Sequence, residues 1–247
     1  MKTSNKILTG AYLVIFLITI ITMAFVRSGT HTIEPLKSIG EKRTQKIPLE
    51  NLRALDIAVG KVILIQKEGI AQLEIRCAEN VRQHLVQRFE KDELYLGMKP
   101  SEIEDLDIEI KIYAKDIESI TISENAFLVS NTFKTNEINL TTKGSGFIHM
   151  FIEADLINTF TFDRSKIYLR GTAQNLNAVV NNAGRVEALN LETDAVHAKI
   201  RDTGKMDITV ISSLTANLSN AGKLSYKGKP NNLQKNGVID SAELIKL

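Results

Sequence analysis

Polar and apolar positions follow three regimes along this chain. From Ile7 to Val26, twenty consecutive residues carry no charge, bounded by Lys2 and Lys6 before and Arg27 after. As a helix rising 1.5 Å per residue, such a run reaches roughly 30 Å, the thickness of a hydrocarbon core. Residues 28–46 are polar and charged without a period, as a tether would be. From Pro48 onward the pattern becomes short alternating runs such as Leu55-Asp-Ile57-Ala-Val59, Lys61-Val62-Ile63-Leu64-Ile65 and Ile108-Glu-Ile110-Lys-Ile112, the period-two signature of strands. One helical spacing interrupts them: Val81, Leu85 and Phe89 stand at i, i+4 and i+8, which predicts a short helix.

Beyond Ile117 the strand pattern repeats. Ile122-Ser-Glu-Asn-Ala-Phe-Leu128, Thr142-Lys-Gly-Ser-Gly-Phe-Ile148, Phe162-Asp-Arg-Ser-Lys-Ile167, Val180-Asn-Asn-Ala-Gly-Arg-Val186, Ile200-Arg-Asp-Thr-Gly-Lys-Met206 and Leu218-Ser-Asn-Ala-Gly-Lys-Leu224 are versions of one unit. Their small residues Ala126, Gly146, Ser165, Gly184, Gly204 and Gly222 advance by 20, 19, 19, 20 and 18, and the third unit is one residue short. A period near twenty with strand formers on both sides of a small-residue turn predicts a parallel β-solenoid, each coil carrying a strand, a tight corner and a second strand. The apolar residues flanking each corner are then expected to stack as core columns. Evenly spaced strands also suit a β-sandwich, but the likeness between units favours the solenoid.

The corner glycine has two physical explanations, a positive φ or close stacking against the next coil. Asn181, Asn182, Asp202 and Asn220 beside it suit turns. An open solenoid end needs a cap. Ile239–Leu247 and the helix expected near 81–89 are the candidates, and oligomerisation is the alternative.

These stretches bring a resemblance into view. Gly144-Ser145-Gly146, Asn182-Ala183-Gly184, Asp202-Thr203-Gly204 and Asn220-Ala221-Gly222, after an opening pair Leu55-Asp-Ile57-Ala-Val59-Gly60 and Ile63-Leu64-Ile65-Gln66, resemble the bacterial putative auto-transporter adhesin head GIN domain family. The resemblance covers roughly residues 48–247. Glu124-Asn125-Ala126 and Arg164-Ser165-Lys166 depart from it by lacking the corner glycine. The resemblance implies a mostly parallel β-helix displayed outside the cytoplasm, and no catalytic residues come with it.

Charge and candidate chemistry narrow the reading. Thirty-one Lys+Arg against 29 Asp+Glu give a formal +2, without the excess expected of a nucleic-acid binder. The one cysteine, Cys77, lies in the alternating run Leu73-Glu-Ile75-Arg-Cys77 and is expected to point into the core. His31, His84, His149 and His197 are dispersed, no G-x-S-x-G occurs, and Gly144-Ser-Gly146 does not extend to a dinucleotide fingerprint. Neither a metal nor a cofactor is expected. Asp163 and Asp202 share a corner column but stand two rungs apart, about 10 Å, too far to share a metal.

Lys166, Arg185, Lys205 and Lys223 precede the second strand of four consecutive units. They form a basic column, the candidate stripe for an anionic glycan or headgroup, with a solvated face as the plain alternative. The expectation is a non-enzymatic adhesion or interaction module, with residues 1–27 as an uncleaved signal-anchor in the inner membrane (a cleaved signal peptide or a buried core helix being the alternatives), a tether over 28–46 and a solenoid over 47–247 outside the cytoplasm. Its expected partners are the membrane, envelope proteins or anionic glycans, and a second copy of itself. A glycan-binding or polysaccharide-active β-helix using the basic column is the alternative.

Overall fold

The computed structural model describes residues 18–19, 36–99, 103–105, 107–236 and 241–247. Of the apolar run 7–26, only Ile18 and Thr19 fall among them, both helical, so the expected anchor lies otherwise outside the described residues. No helix among the described residues is long and apolar enough to cross a membrane.

The chain opens with β1 (Leu36–Lys37), β2 (Arg43–Leu49), β3 (Ala54–Ile57), β4 (Lys61–Gln66) and β5 (Ala71–Cys77). After α1 (Glu79–Arg82) come β6 (Leu85–Glu90), β7 (Glu93–Met98), β8 (Ile103–Asp105), β9 (Glu109–Ala114) and β10 (Ser119–Ile122). Five long strands follow: β11 (Phe127–Thr142), β12 (Phe147–Thr161), β13 (Lys166–Val180), β14 (Arg185–Ile200) and β15 (Lys205–Leu218). The chain closes with β16 (Lys223–Lys227), β17 (Asn232–Asn236) and β18 (Glu243–Lys246).

From β10 to β18 every pairing is parallel, and the whole makes a solenoid of about seven turns. Each of β11 to β14 pairs along both halves with its successor, so a coil is a single strand of 15 or 16 residues that bends mid-way and closes through one tight corner. Register slips mark the bends, between Ser130 and Thr132, Tyr168 and Arg170, and Ala188 and Glu192. This replaces the expected alternation of strand, corner and second strand.

Two columns flank the corner and fill the core. After it stand Val62, Leu128, Ile148, Ile167, Val186, Met206 and Leu224, all fully buried and in register. Burying each such side chain contributes about 1.5–3 kcal/mol before ordering costs. Before the corner the column runs Ile57, Ile122, Thr142, Thr161, Val180, Ile200 and Leu218. Thr161, not Phe162, holds the place in the third unit; Phe162 is the first residue of the turn itself, so the unit is of full length.

The amino-terminal end is built differently. β2 pairs antiparallel with β5, β5 antiparallel with β9, and β6 antiparallel with β7. β2 thus pairs with β5 from Arg43 on, inside the expected tether, because backbone pairing requires no apolar side chains and the first four residues of β2 are exposed. The helix expected over 81–89 shrinks to the four residues of α1. Leu85 and Phe89 instead lie on β6, whose hairpin with β7 turns at Lys91 and Asp92, both at positive φ (50° and 64°), as the twist of a two-residue hairpin demands. Cys77 ends β5 fully buried, and burial pushes its thiol pKa up.

Candidate functional site

The corners divide two tasks between two residues. In each four-residue turn the fourth N–H donates to the first carbonyl, at 3.0 Å for Ala126 to Ser123 and 3.2 Å for Ser165 to Phe162. Positive φ falls on the second residue: Glu124, Gly144, Asp163, Asn182, Asp202 and Asn220 all lie between 55° and 63°. The small fourth residue serves close packing instead. A Cβ on Gly146 would stand 2.5 Å from the Ile122 carbonyl oxygen, and one on Gly184 2.9 Å from Thr161 Cγ2. The two corners without glycine form equally well. Ala126 fits at the first, and at the third the Ser165 hydroxyl donates to the Phe162 carbonyl at 2.5 Å and lies 2.9 Å from Thr142 Oγ1.

The second-position residues link coil to coil. Gly144 N–H donates to Asp163 Oδ2 (3.1 Å), Asn182 Nδ2 to Asp163 Oδ1 (3.2 Å) and Asn220 Nδ2 to Asp202 Oδ1 (2.8 Å). Asp163 and Asp202 thus act as turn residues that accept amide hydrogen bonds, with Asn182 between them in the column. No group of His, Cys, Asp and Glu among the described residues is arranged to hold a metal ion. A second ladder, Asn139, Asn158 and Asn177, runs along the coils with amide-to-carbonyl bonds of 3.1 and 2.9 Å. Its 19-residue spacing matches the corner period and was the available sequence signal for it.

The four residues of the basic column do stack: Lys166 pairs with Arg185, Arg185 with Lys205 and Lys205 with Lys223 on consecutive strands. Carboxylates missed by the sequence reading stand beside them. Glu187 Oε1 lies 2.7 Å from Lys166 Nζ and 2.9 Å from Arg185 Nε, Asp207 Oδ2 lies 3.2 Å from Arg185 Nη2, and Glu243 Oε2 lies 2.9 Å from Lys223 Nζ. Lys205 has no carboxylate in ion-pair range among the described residues. The signal was present in Arg185-Val-Glu187 and Lys205-Met-Asp207, since positions i and i+2 of a strand share a face.

Toward the amino-terminal end the same face turns aromatic. Phe127 and Phe147 stack at 4.7 Å between ring centroids, with Lys61 and Lys166 each 5.8 Å from the outer ring centroid. His149 packs edge-on to Tyr168 (4.6 Å) and over Phe151 (5.7 Å), and the Arg170 guanidinium lies 5.4 Å from the Phe151 centroid and 5.2 Å from that of Tyr168. Burial lowers the His149 pKa, and Arg170 lowers it further. These ring faces are largely taken by one another and by cations.

A groove of about 1130 Å³ follows the mid-strand bends. Seven carboxylates and two cations line it, over apolar or small residues Ile117, Ala154, Ala173 and Ile211. Two ion pairs use both cations, Arg53 with Glu118 at 2.6 Å and Lys134 with Glu153 at 2.7 Å. A smaller recess of about 470 Å³ continues from it and shares Arg53 and Asp116.

Comparison with known proteins bears on what such a body is. A family model described as "Putative auto-transporter adhesin, head GIN domain" matches residues 60–230. The fold is similar to that of a putative adhesin from Bacteroides fragilis, with a TM-score of 0.79 at 19% identity, covering 86% of this chain and 100% of that one. A putative lipid binding protein from Parabacteroides distasonis aligns with a TM-score of 0.68 at 17% identity, covering 87% of this chain and 100% of that one. A putative adhesin from the same organism gives 0.66, with the same identity and coverage. No curated protein matches the chain.

Proposed function

We infer function from a fixed premise: the chain belongs to the family described as the putative auto-transporter adhesin head GIN domain. We propose that it is a non-enzymatic adhesion or interaction module, held in the inner membrane by the apolar run 7–26 with its solenoid outside the cytoplasm. The observation that carries this reading is the continuous solenoid itself. Its corners and ladders are occupied by side chains bonded to one another, as in a rigid scaffold that presents outer faces to a partner. The uncharged run of twenty residues and the lysines preceding it support the anchor and its orientation.

The test is topology and contact together. In intact spheroplasts, external protease should digest the body of the full-length chain and leave a short membrane-protected fragment. Spheroplasts lacking the protein should bind less to glycan- or protein-coated surfaces than spheroplasts that carry it. A body protected from external protease, or unchanged spheroplast binding, would sink the proposal.

Lys205, without a carboxylate partner among the described residues, keeps one second reading in play: the basic column Lys166, Arg185, Lys205 and Lys223 as a seat for an anionic glycan. Changing all four to Ser should then abolish salt-sensitive binding to sulfated glycans. Binding that survives the change excludes the column.

A further inference from the structure

The groove along the mid-strand bends combines apolar surface with an excess of carboxylates over cations, Lys115 beside it acting on Asp116. Asp116, Glu137, Asp155, Glu192 and Asp194 line it, and none has an ion pair with a described residue, both local cations being engaged by Glu118 and Glu153. The whole chain is +2, so this negative field is a local concentration, not a reflection of composition. Between the carboxylates lie Ala154 and the largely buried Ala173, Ile117 beneath them is fully buried, and Ile211 on the last rung is 51% exposed.

The arrangement along the axis is graded. The β12 rung carries Glu153 and Asp155, the β13 rung carries neutral Thr172 and Gln174, and the β14 rung carries Glu192 and Asp194. Gln174 Nε2 donates to Asp155 Oδ1 at 2.7 Å, so the neutral rung spaces the acidic ones and relieves their repulsion. Acidic rungs two steps apart stand about 9.6 Å from each other at strand spacing. An extended polypeptide in the polyproline II conformation advances roughly 9.3 Å in three residues and returns to the same face. Lining residues run from Glu118, beside β10, to Ile211 of β15. Those six rungs are about 24 Å, the reach of seven or eight extended residues.

We propose that this groove is the docking surface of the module for an extended cationic polypeptide segment bearing Lys or Arg at every third residue. The proposal rests on the interaction-module reading and names its partner. Basic side chains meet the carboxylates of the β12 and β14 rungs, and the intervening residues lie over Ala154, Ala173 and Ile211.

The probe is a fluorescent nine-residue peptide of Lys-Pro-Ala repeats, titrated by anisotropy into the full-length chain in neutral detergent. Controls are a peptide of the same composition with its lysines in one block, and spermine. The expected result is saturable, salt-sensitive binding, weaker for the blocked peptide and at least about tenfold weaker for the triple variant D155N/E192Q/D194N, whose thermal midpoint should stay unchanged or rise as repulsion is relieved. No binding at low salt overturns the proposal, as does binding indifferent to the triple variant. Equal affinity for spermine and peptide also overturns it, in favour of a small-cation site. Binding of coated surfaces by spheroplasts persisting while the peptide fails to bind would reject the groove and leave the interaction-module reading standing.

Discussion

At the corner of each coil, Gly146 and its equivalents are small for a reason different from the usual one for a turn glycine. Their neighbours two positions earlier carry the left-handed backbone, and Asn and Asp tolerate that conformation through local hydrogen bonding. Gly146 to Ala should therefore destabilise through a 2.5 Å approach to backbone, by about 1–3 kcal/mol, as other overpacked sites do. Denaturant melts of the two proteins check this, and an unchanged midpoint contradicts it. Thr161 supplies the converse case. Its Oγ1 is buried with no hydrogen-bond partner among the described residues, while Val180 and Ile200 fill the same column on the next coils. Thr161 to Val should raise stability by about 1 kcal/mol, readable in the same melts. The sequence showed the column but misplaced this member by one residue. Phe162 is the more apolar of the two, and a turn starting at Phe162 is not distinguishable by composition from a strand ending there.

Elements were legible where a period repeated and obscure where it did not. Six corners at a spacing near twenty mark the long strands, whereas β6 reads as helix because Val81, Leu85 and Phe89 satisfy a period of four, and two of them also satisfy a period of two. The bends inside β11 to β14 break the alternation only briefly, as where Asn131 and Thr132 both face outward between buried Ser130 and Phe133, too short a mark to read without the pairing. That is why the groove along those bends was missed while the column on the flat face was found. The flat face carries its own prediction. His149 sits among Tyr168, Phe151 and Arg170, its Nε2 buried without a hydrogen-bond partner among the described residues, and its pKa is depressed chiefly by burial. The folded state thus binds the proton less readily than the unfolded state, whose histidine titrates near 6.5. The stability tied to neutral His149 is complete above that value and is lost as pH falls below it toward the depressed folded value. Between about pH 7.5 and 5, the wild type should lose more thermal stability than His149 to Phe, which keeps the ring and removes the titration. Parallel melting curves for the two would refute the assignment.

For the molecule as a whole, the decisive fact is that each coil touches mainly its neighbours. Repeat stacks of this kind divide their stability into local increments. Amide hydrogen exchange should accordingly grade along the axis. Protection is expected to be highest in β12 to β14 and lowest in β17, all of whose residues are exposed, and uniform protection would contradict the picture. The all-β solenoid class was readable at this scale from the period, but the groove was not. A binding surface made of residues 134–139, 153–155, 172–174 and 192–194 exists only once the coils are stacked. In the linear chain those carboxylates are scattered among strands and look like ordinary solvated positions.

The two ends of the stack differ, with antiparallel strands closing the first and the short parallel strands β17 and β18 forming the second. A pull applied at Leu247 would meet hydrogen bonds loaded one after another, as in a zipper, not all at once, as in a sheared joint. Rungs would peel from β18 inward, each releasing nearly twenty residues of slack while the remainder keeps its shape. Under load, the molecule would behave as a strap that lengthens in steps and rewinds when the tension is removed.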